Sequence, residues 1–494
     1  MKYMFRSLSL LLLLMPVAAA QQFADSVRMF TLDNGMRIIM VQQGAAPTIT
    51  FNLMFDVGAI DEPDGLGGLA HMVEHMAFQG TRSIGAVDLA RELELLDRLE
   101  VLVAAIDQAE RAGFSEDELA DMHGEFAAVR QEAQAIADTN ALSALFSTNG
   151  GVGLNASTGY DRTDYRVALP SNRLELYARI YADVMRNPIF RSFYEERDVV
   201  MEERRQVRED DPQGLLAETF LATAFAQHPY GRSLIGTSEE IMGYRATEAR
   251  AFWELYYHPG RAVLVMVGDV NPDEDIAIIE RYFGTVPAGP ELRVRIDPEP
   301  VQQAERRGSV AFDAEPQIYV GFHKPTYPDR DAYVLDVISA LLSRGRSSRL
   351  FRRMVIEDQI ATVAATSASF PGIREANLFV FYGQPRFPHT TEDLEVALYE
   401  ELERLQNELV SERELQRVKN QVRASFIRNL GSAAGLANQL AFYELFLGGW
   451  ENLEAYADII DSISAEDIMN VAQRYFHAEN RSVATLISSR IGDE

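Results

Sequence analysis

Cysteine is absent from the 494 residues, which excludes disulfide bonds and a lipid anchored on an N-terminal cysteine. Positive charge is scarce: 46 Lys and Arg stand against 74 Asp and Glu, for a formal net charge of −28. That sign argues against nucleic acid as a partner, because a phosphate backbone is drawn to basic surfaces. The acidity reads as an aid to solubility, with attraction of basic peptides as the alternative. Long apolar runs are missing past the N-terminus, so no membrane span is expected in the body of the chain. The one run that stands out, Leu8 to Val17, is short, follows Lys2 and Arg6, and precedes Ala18-Ala19-Ala20 before Gln21. This pattern predicts a secretory signal peptide over residues 1–20, cleaved on export to a bacterial periplasm.

Histidine is sparse too, with eight in the chain, yet two of them stand in His71-Met72-Val73-Glu74-His75. On a helix, residues three and four apart share a face, so His71 and His75 can offer ring nitrogens to one metal with Glu74 beside them. Histidine nitrogen suits Zn²⁺, whose catalytic sites leave one position to water, and Glu74 is placed to act as general base toward that water. Leu69, Met72, Val73 and Met76 keep the i, i+3, i+4, i+7 spacing of a buried helical stripe. The histidines therefore fall on the flank of a helix anchored in a core, which Gly80 ends.

His-x-x-Glu-His is the inverted zinc motif of the pitrilysin and insulinase superfamily. Asp33-Asn34-Gly35, Asn155-Ala156-Ser157-Thr158, Glu202-Glu203, Asp211-Pro212 and Tyr257-His258-Pro259 are similar to other stretches of its bacterial, processing-peptidase-like branch. The resemblance implies an α+β fold of two homologous sandwich domains, mostly antiparallel sheet packed with helices, forming half of a clamshell. It implies one Zn²⁺ per chain, with Glu203 as third ligand and Glu196, two helical turns earlier, as a supporting carboxylate. Asn155 and Ala156 match an edge strand that binds peptide backbone by strand addition. The superfamily also uses an Arg and a Tyr from the domain without zinc. Rough alignment puts Phe379 and Thr390 at those positions, with Arg374, Tyr382 and Arg386 nearby but out of register. The expectation that follows is a homologous partner subunit supplying the Arg and Tyr, with a homodimer as the competitor.

His75 and Glu203 lie further apart than the superfamily pattern implies. Between them, residues 87–147 hold a Leu-, Ala-, Glu- and Arg-rich segment in which Leu95, Leu99, Leu102, Ile106 and Ala109 keep heptad-like spacing. Ala112-Gly113-Phe114 breaks the pattern and Ser115-x-x-Glu118 is a capping box, which predicts an inserted antiparallel helical hairpin. Proline-rich residues 287–300 divide a first domain over 23–290 from a second over 300–494. The halves echo each other: Tyr257-His258-Pro259-Gly260-Arg261 and Phe476-His477-Ala478-Glu479-Asn480-Arg481 each precede an apolar strand. Laying Gly80 on Gly345 puts Asp336, Ser339 and Ala340 at the places of His71, Glu74 and His75, so only the first half is expected to bind metal. Alternating Ile49, Phe51, Leu53, Phe55 and Ile318, Val320, Phe322 read as half-buried strands. The favoured function is a zinc endopeptidase acting on short or unfolded peptides in a closed chamber. The alternative is a non-catalytic or partner-dependent peptide-binding subunit.

Overall fold

A computed structural model describes residues 26–44, 46–291 and 295–489; the expected signal peptide lies outside the described residues. Short β-branched and aromatic runs supply β1 (Val27–Thr31), β2 (Arg37–Gln42), β3 (Thr48–Phe55), β4 (Val152–Thr158), β5 (Thr163–Pro170) and β6 (Ala262–Gly268). They form one sheet in the order β1-β2-β6-β3-β5-β4. A second sheet, ordered β7-β11-β8-β10-β9, joins β7 (Arg306–Phe312), β8 (Gln317–Lys324), β9 (Ala361–Phe370), β10 (Asn377–Pro385) and β11 (Arg481–Ser488). Each sheet has one parallel pair, β2 with β6 and β7 with β11, and is otherwise antiparallel. With β1 set aside, the two orders are the same circuit, the repeat anticipated from the paired strand-entry sequences. The class is α+β.

One expectation fails in an informative way. β3 and β8 are buried on both faces, not one. Ile49, Phe51, Leu53 and Phe55 face the first core and Met54 faces a separate cluster. That cluster is closed by Leu436, Leu440 and Tyr443 of the helix Ala433–Phe446, a second-half helix lying on the first sheet. In return, Leu216 and Phe220 of the first-half helix Pro212–Ala224 cover Tyr319, Val380 and Leu486 of the second sheet. Each such apolar side chain stabilises the contact by about 1.5–3 kcal/mol as it leaves water. The exchange holds the halves together.

The helical hairpin is present. Helices Leu89–Arg111 and Glu116–Ala135 run antiparallel, tied by Arg91–Glu132 at 2.6 Å and by Arg98–Glu125. Ser115 caps the second helix through the backbone N–H of Glu118, whose carboxylate accepts from the N–H of Ser115. A bridge between Ala86 and Ala137 closes the base. Leu95, Leu99, Leu102, Ile106 and Ala109 are all buried, and Leu95 and Leu99 join the first core, so the start of the heptad stripe anchors the hairpin on the body. No helix among the described residues is long and apolar enough to cross a membrane.

Candidate metal centre

The histidine helix, Leu69–Met76, buries Leu69, Ala70, Met72, Val73 and Met76 in the first core. Its start is fixed from outside. Gly68 sits at φ 82°, and a Cβ there would come within 2.2 Å of the Ile235 carbonyl, so both conformation and space demand glycine. The Glu62 carboxylate accepts the backbone N–H groups of Gly68 and Ala70, each at 2.8 Å, doing from a preceding loop what a capping residue does. Burial pushes the Glu62 carboxyl up to about 8, against the lowering effect of those two donors and Arg232. Glu62→Ala orphans two buried donors, so a loss of about 1–3 kcal/mol is expected, read as a lower denaturant midpoint with an unchanged slope.

The second wall is the glutamate helix, Phe193–Arg204. Glu203 Oε2 lies 3.7 Å from His71 Nε2 and 3.6 Å from His75 Nε2. A tetrahedral ion with bonds of about 2.0–2.2 Å separates its ligand atoms by roughly 3.4 Å, so two imidazoles and a carboxylate at this spacing fit Zn²⁺. Glu196 Oε2 stands 3.1 Å from His75 Nδ1, and its other oxygen accepts Gln79 Nε2 at 2.7 Å. A proton on Nδ1 shared with Glu196 leaves Nε2, the nitrogen nearer Glu203, as the one that would ligate a metal. Glu202 points away and pairs with Arg205.

Burial, reinforced by His75 and Arg208, lowers the His71 pKa to about 3, which keeps its imidazole neutral and able to ligate. Burial also pulls His75 down, but the Glu196 hydrogen bond and the charges of Glu196, Glu74 and Glu203 outweigh it, and the net shift is upward. Glu74 is raised, chiefly by burial and partly offset by a hydrogen bond from Thr158. Thr158 Oγ1 donates to Glu74 Oε2 at 2.6 Å and fixes the carboxylate beside the three donor atoms.

Thr158 closes β4, the edge of the first sheet, whose Asn155 and Ala156 line the same pocket of about 400 Å³ as His71, His75 and Glu203. Arg166 and Arg208 line it too. Arg208 lies in the π-helical turn Arg205–Glu209 that continues the glutamate helix, a distortion frequent at functional sites. Sequence reading did not single out Thr158, Arg208 or Glu62. Thr158 stood inside the quoted Asn-Ala-Ser-Thr string, whereas nothing local marks the other two.

The second-half positions stand elsewhere. Phe379 is buried in the second core and Thr390 caps the helix Thr391–Asn407. Arg374 reaches back into the first half, where it binds Asp61 at 2.8 and 3.0 Å and Asp56 at 3.1 Å. Tyr382 donates to Gln317 at 3.0 Å. None of these four, nor Arg386, lines the metal pocket.

Comparison with known proteins places this geometry in a family. The model described as "Insulinase (Peptidase family M16)" matches residues 37–98 and 131–238, and that described as "Peptidase M16 inactive domain" matches 245–422. The break between 98 and 131 falls on the outer part of the helical hairpin. The chain is similar to "Zinc protease PqqE" of Helicobacter pylori, 26% identical over 92% of each chain. It is also similar to the "Probable mitochondrial-processing peptidase subunit beta" of Arabidopsis thaliana, 22% identical over 94% of this chain and 78% of that one. Among solved structures, a protease from Helicobacter pylori matches at TM-score 0.78 and 24% identity, over 93% of this chain and 99% of that one. The periplasmic protease PqqL from Escherichia coli matches at TM-score 0.70 and 17% identity, over 94% of this chain but 48% of that one.

Proposed function

Since this chain belongs to the insulinase (M16) peptidase family, we propose that it is a zinc-dependent endopeptidase cutting short or unfolded peptides, with His71, His75 and Glu203 as ligands of one Zn²⁺. The reading rests on one observation above all: three ligating atoms within 4.8 Å of one another, with the Glu74 carboxylate and an open sheet edge beside them. What zinc supplies when bound there is polarisation of a peptide carbonyl and a water acidified to a pKa of about 7.

The chain's own residues do the rest. The free edge of β4 takes the peptide as an added strand, with main-chain groups of Asn155 and Ala156 fixing its register. Glu74 accepts the proton of the attacking water and returns it to the departing amine, and Thr158 holds its carboxylate in place. Arg208 and Arg166 offer positive charge to the substrate carbonyl oxygen as it becomes anionic. Glu196 orients His75. Glu196→Gln is therefore expected to weaken zinc binding by about 10–100-fold, measured by competition with a chromophoric chelator; unchanged affinity would remove Glu196 from the site. Export predicted from residues 1–20 would put the substrates in a bacterial periplasm.

A second reading, a subunit active only with a homologous partner, is supported by the rough alignment that puts Phe379 and Thr390 where the superfamily carries Arg and Tyr. The match to less than half of the Escherichia coli chain and to a protein described as a subunit supports a paired arrangement. Native mass measurement with peptide turnover on the pure chain separates the two. A fully active homodimer would rule out an obligate heterologous partner.

A further inference from the structure

The second half repeats the architecture of the metal site without its ligands. The histidine helix packs between the edge strand β4 and the glutamate helix, and the helix Arg330–Ser343 packs between the edge strand β9 and the helix Glu412–Leu430. At the places of the ligands this second cleft holds a pocket of about 380 Å³ in which Asp336 is engaged by tyrosines and, among the described residues, no histidine is present. Asp336 accepts the hydroxyls of Tyr327 at 2.8 and 2.9 Å and of Tyr456 at 3.3 Å, and Ser339 bonds Thr366. A second, larger space, a groove of about 770 Å³, lies between the end of the helix Arg330–Ser343 and the helix Glu412–Leu430, and Arg344 borders both.

Arginine dominates that groove. Arg344 stands on one side, and Arg413, Arg417 and Arg428 line the other together with Asn420 and Gln421; no carboxylate lines it. The spacing 413, 417, 420/421, 424, 428 keeps these residues on one helical face. Among the described residues, Arg344, Arg413 and Arg428 form no ion pair, while Arg417 is anchored on the Ser347 carbonyl at 3.0 Å and stands 3.7 Å from Glu414. A chain with 74 acidic residues and a net charge of −28 has ample carboxylate to neutralise such a stripe, yet the groove holds none. Arg428 donates to Ser425 Oγ at 2.7 Å and Arg344 feels the charge of Asp336 in the neighbouring pocket, yet no carboxylate among the described residues pairs with Arg344, Arg413 or Arg428. Guanidinium forks without an ionic partner match the carboxylate group, which they bind with two parallel hydrogen bonds.

We propose that this groove binds carboxylates of the peptide substrate, carried on acidic side chains or at a free C-terminus, as a subsite separate from the metal centre. The peptide as ligand rests on the peptidase reading; the anion site rests on the groove alone. This preference is opposite to the one that overall charge alone would suggest.

The test is binding, not turnover, so it stands even if the chain proves inactive. In the full chain carrying Glu74→Gln, three fluorescent decapeptides are compared by anisotropy: one rich in Asp and Glu with an amidated end, one with Asn and Gln in their place and a free end, and one with Asn and Gln and an amidated end. In Arg344→Gln/Arg413→Gln/Arg428→Gln, all at exposed positions, the acidic peptide should bind about tenfold more weakly, the yield of a few solvated charge contacts. The neutral amidated peptide should be unaffected, and the corresponding Arg→Lys triple should keep most of the acidic-peptide affinity. A loss confined to the free-ended peptide would also support the proposal and assign the groove to the C-terminal carboxylate. Equal binding of all three peptides to the parent and the Gln variant would overturn it. So would equal weakening of all three with a change in sedimenting mass, which would make the groove a subunit contact.

Discussion

Glu74→Gln is expected to leave zinc in place and to reduce peptide turnover by roughly 10²–10⁴-fold, the contribution of a well-placed general base. Glu74 is not among the three donor residues that converge, so the metal keeps its ligands. The amide is nearly the same shape as the acid, and its oxygen can still accept from Thr158 Oγ1, which now bonds the carboxylate at 2.6 Å. What the variant cannot do is take a proton. Zinc content by mass spectrometry and turnover of a quenched peptide give the two readouts, and wild-type turnover would refute the assignment of the base. Thr158→Val gives a smaller version of the same effect: turnover should fall several-fold with little change in KM, and Thr158→Ser should restore it.

The largest effect on stability is expected at Arg191. Its side chain and that of Glu92 are each 1% exposed and bond at 2.7 and 3.1 Å. The same guanidinium donates to the carbonyls of Gln79, Ile84 and Thr81. Gly80 and Gly85 are glycines in part because a Cβ on either would come within 2.7 Å or 2.4 Å of Arg191. One residue thus ties the turn after the histidine helix, the base of the inserted hairpin and the entry to the glutamate helix. Arg191→Met leaves a buried carboxylate alone, which costs about 3–5 kcal/mol. Because Gln79 also supports Glu196, zinc affinity should fall with it. Adding Glu92→Gln removes the stranded charge and should recover part of the loss; a single-variant loss below about 1 kcal/mol would contradict the structural role.

The histidine helix was legible because its information is local: spacing placed His71 and His75 on one flank and an apolar stripe on the other. Ser115-x-x-Glu118 was legible for the same reason, a cap being a four-residue event. Glu203 and Glu196 were not readable from spacing alone, since acidic helices are common; a superfamily resemblance singled them out, and the fold brings both to the histidines. Arg191 and Glu92 lie far apart in sequence, and no periodicity announces a pair that meets only after folding. Arg374 looked like a candidate for the reacting centre and is instead held by Asp61 and Asp56 of the other half. The strands β3 and β8 read as half-buried because alternation reports one face. The helices that cover their second faces come from the opposite halves of the chain, a fact with no trace in the strand sequences.

The central claim is a metal held by His71, His75 and Glu203, and it is tested most directly by zinc stoichiometry measured together with chelator-sensitive cleavage, on the chain and on Glu203→Gln. The account predicts about one zinc per chain, cleavage that a chelator stops and added zinc restores, and loss of both metal and cleavage in the variant. A purified chain that binds no zinc, or a Glu203→Gln variant that binds it as well as the parent, would contradict it.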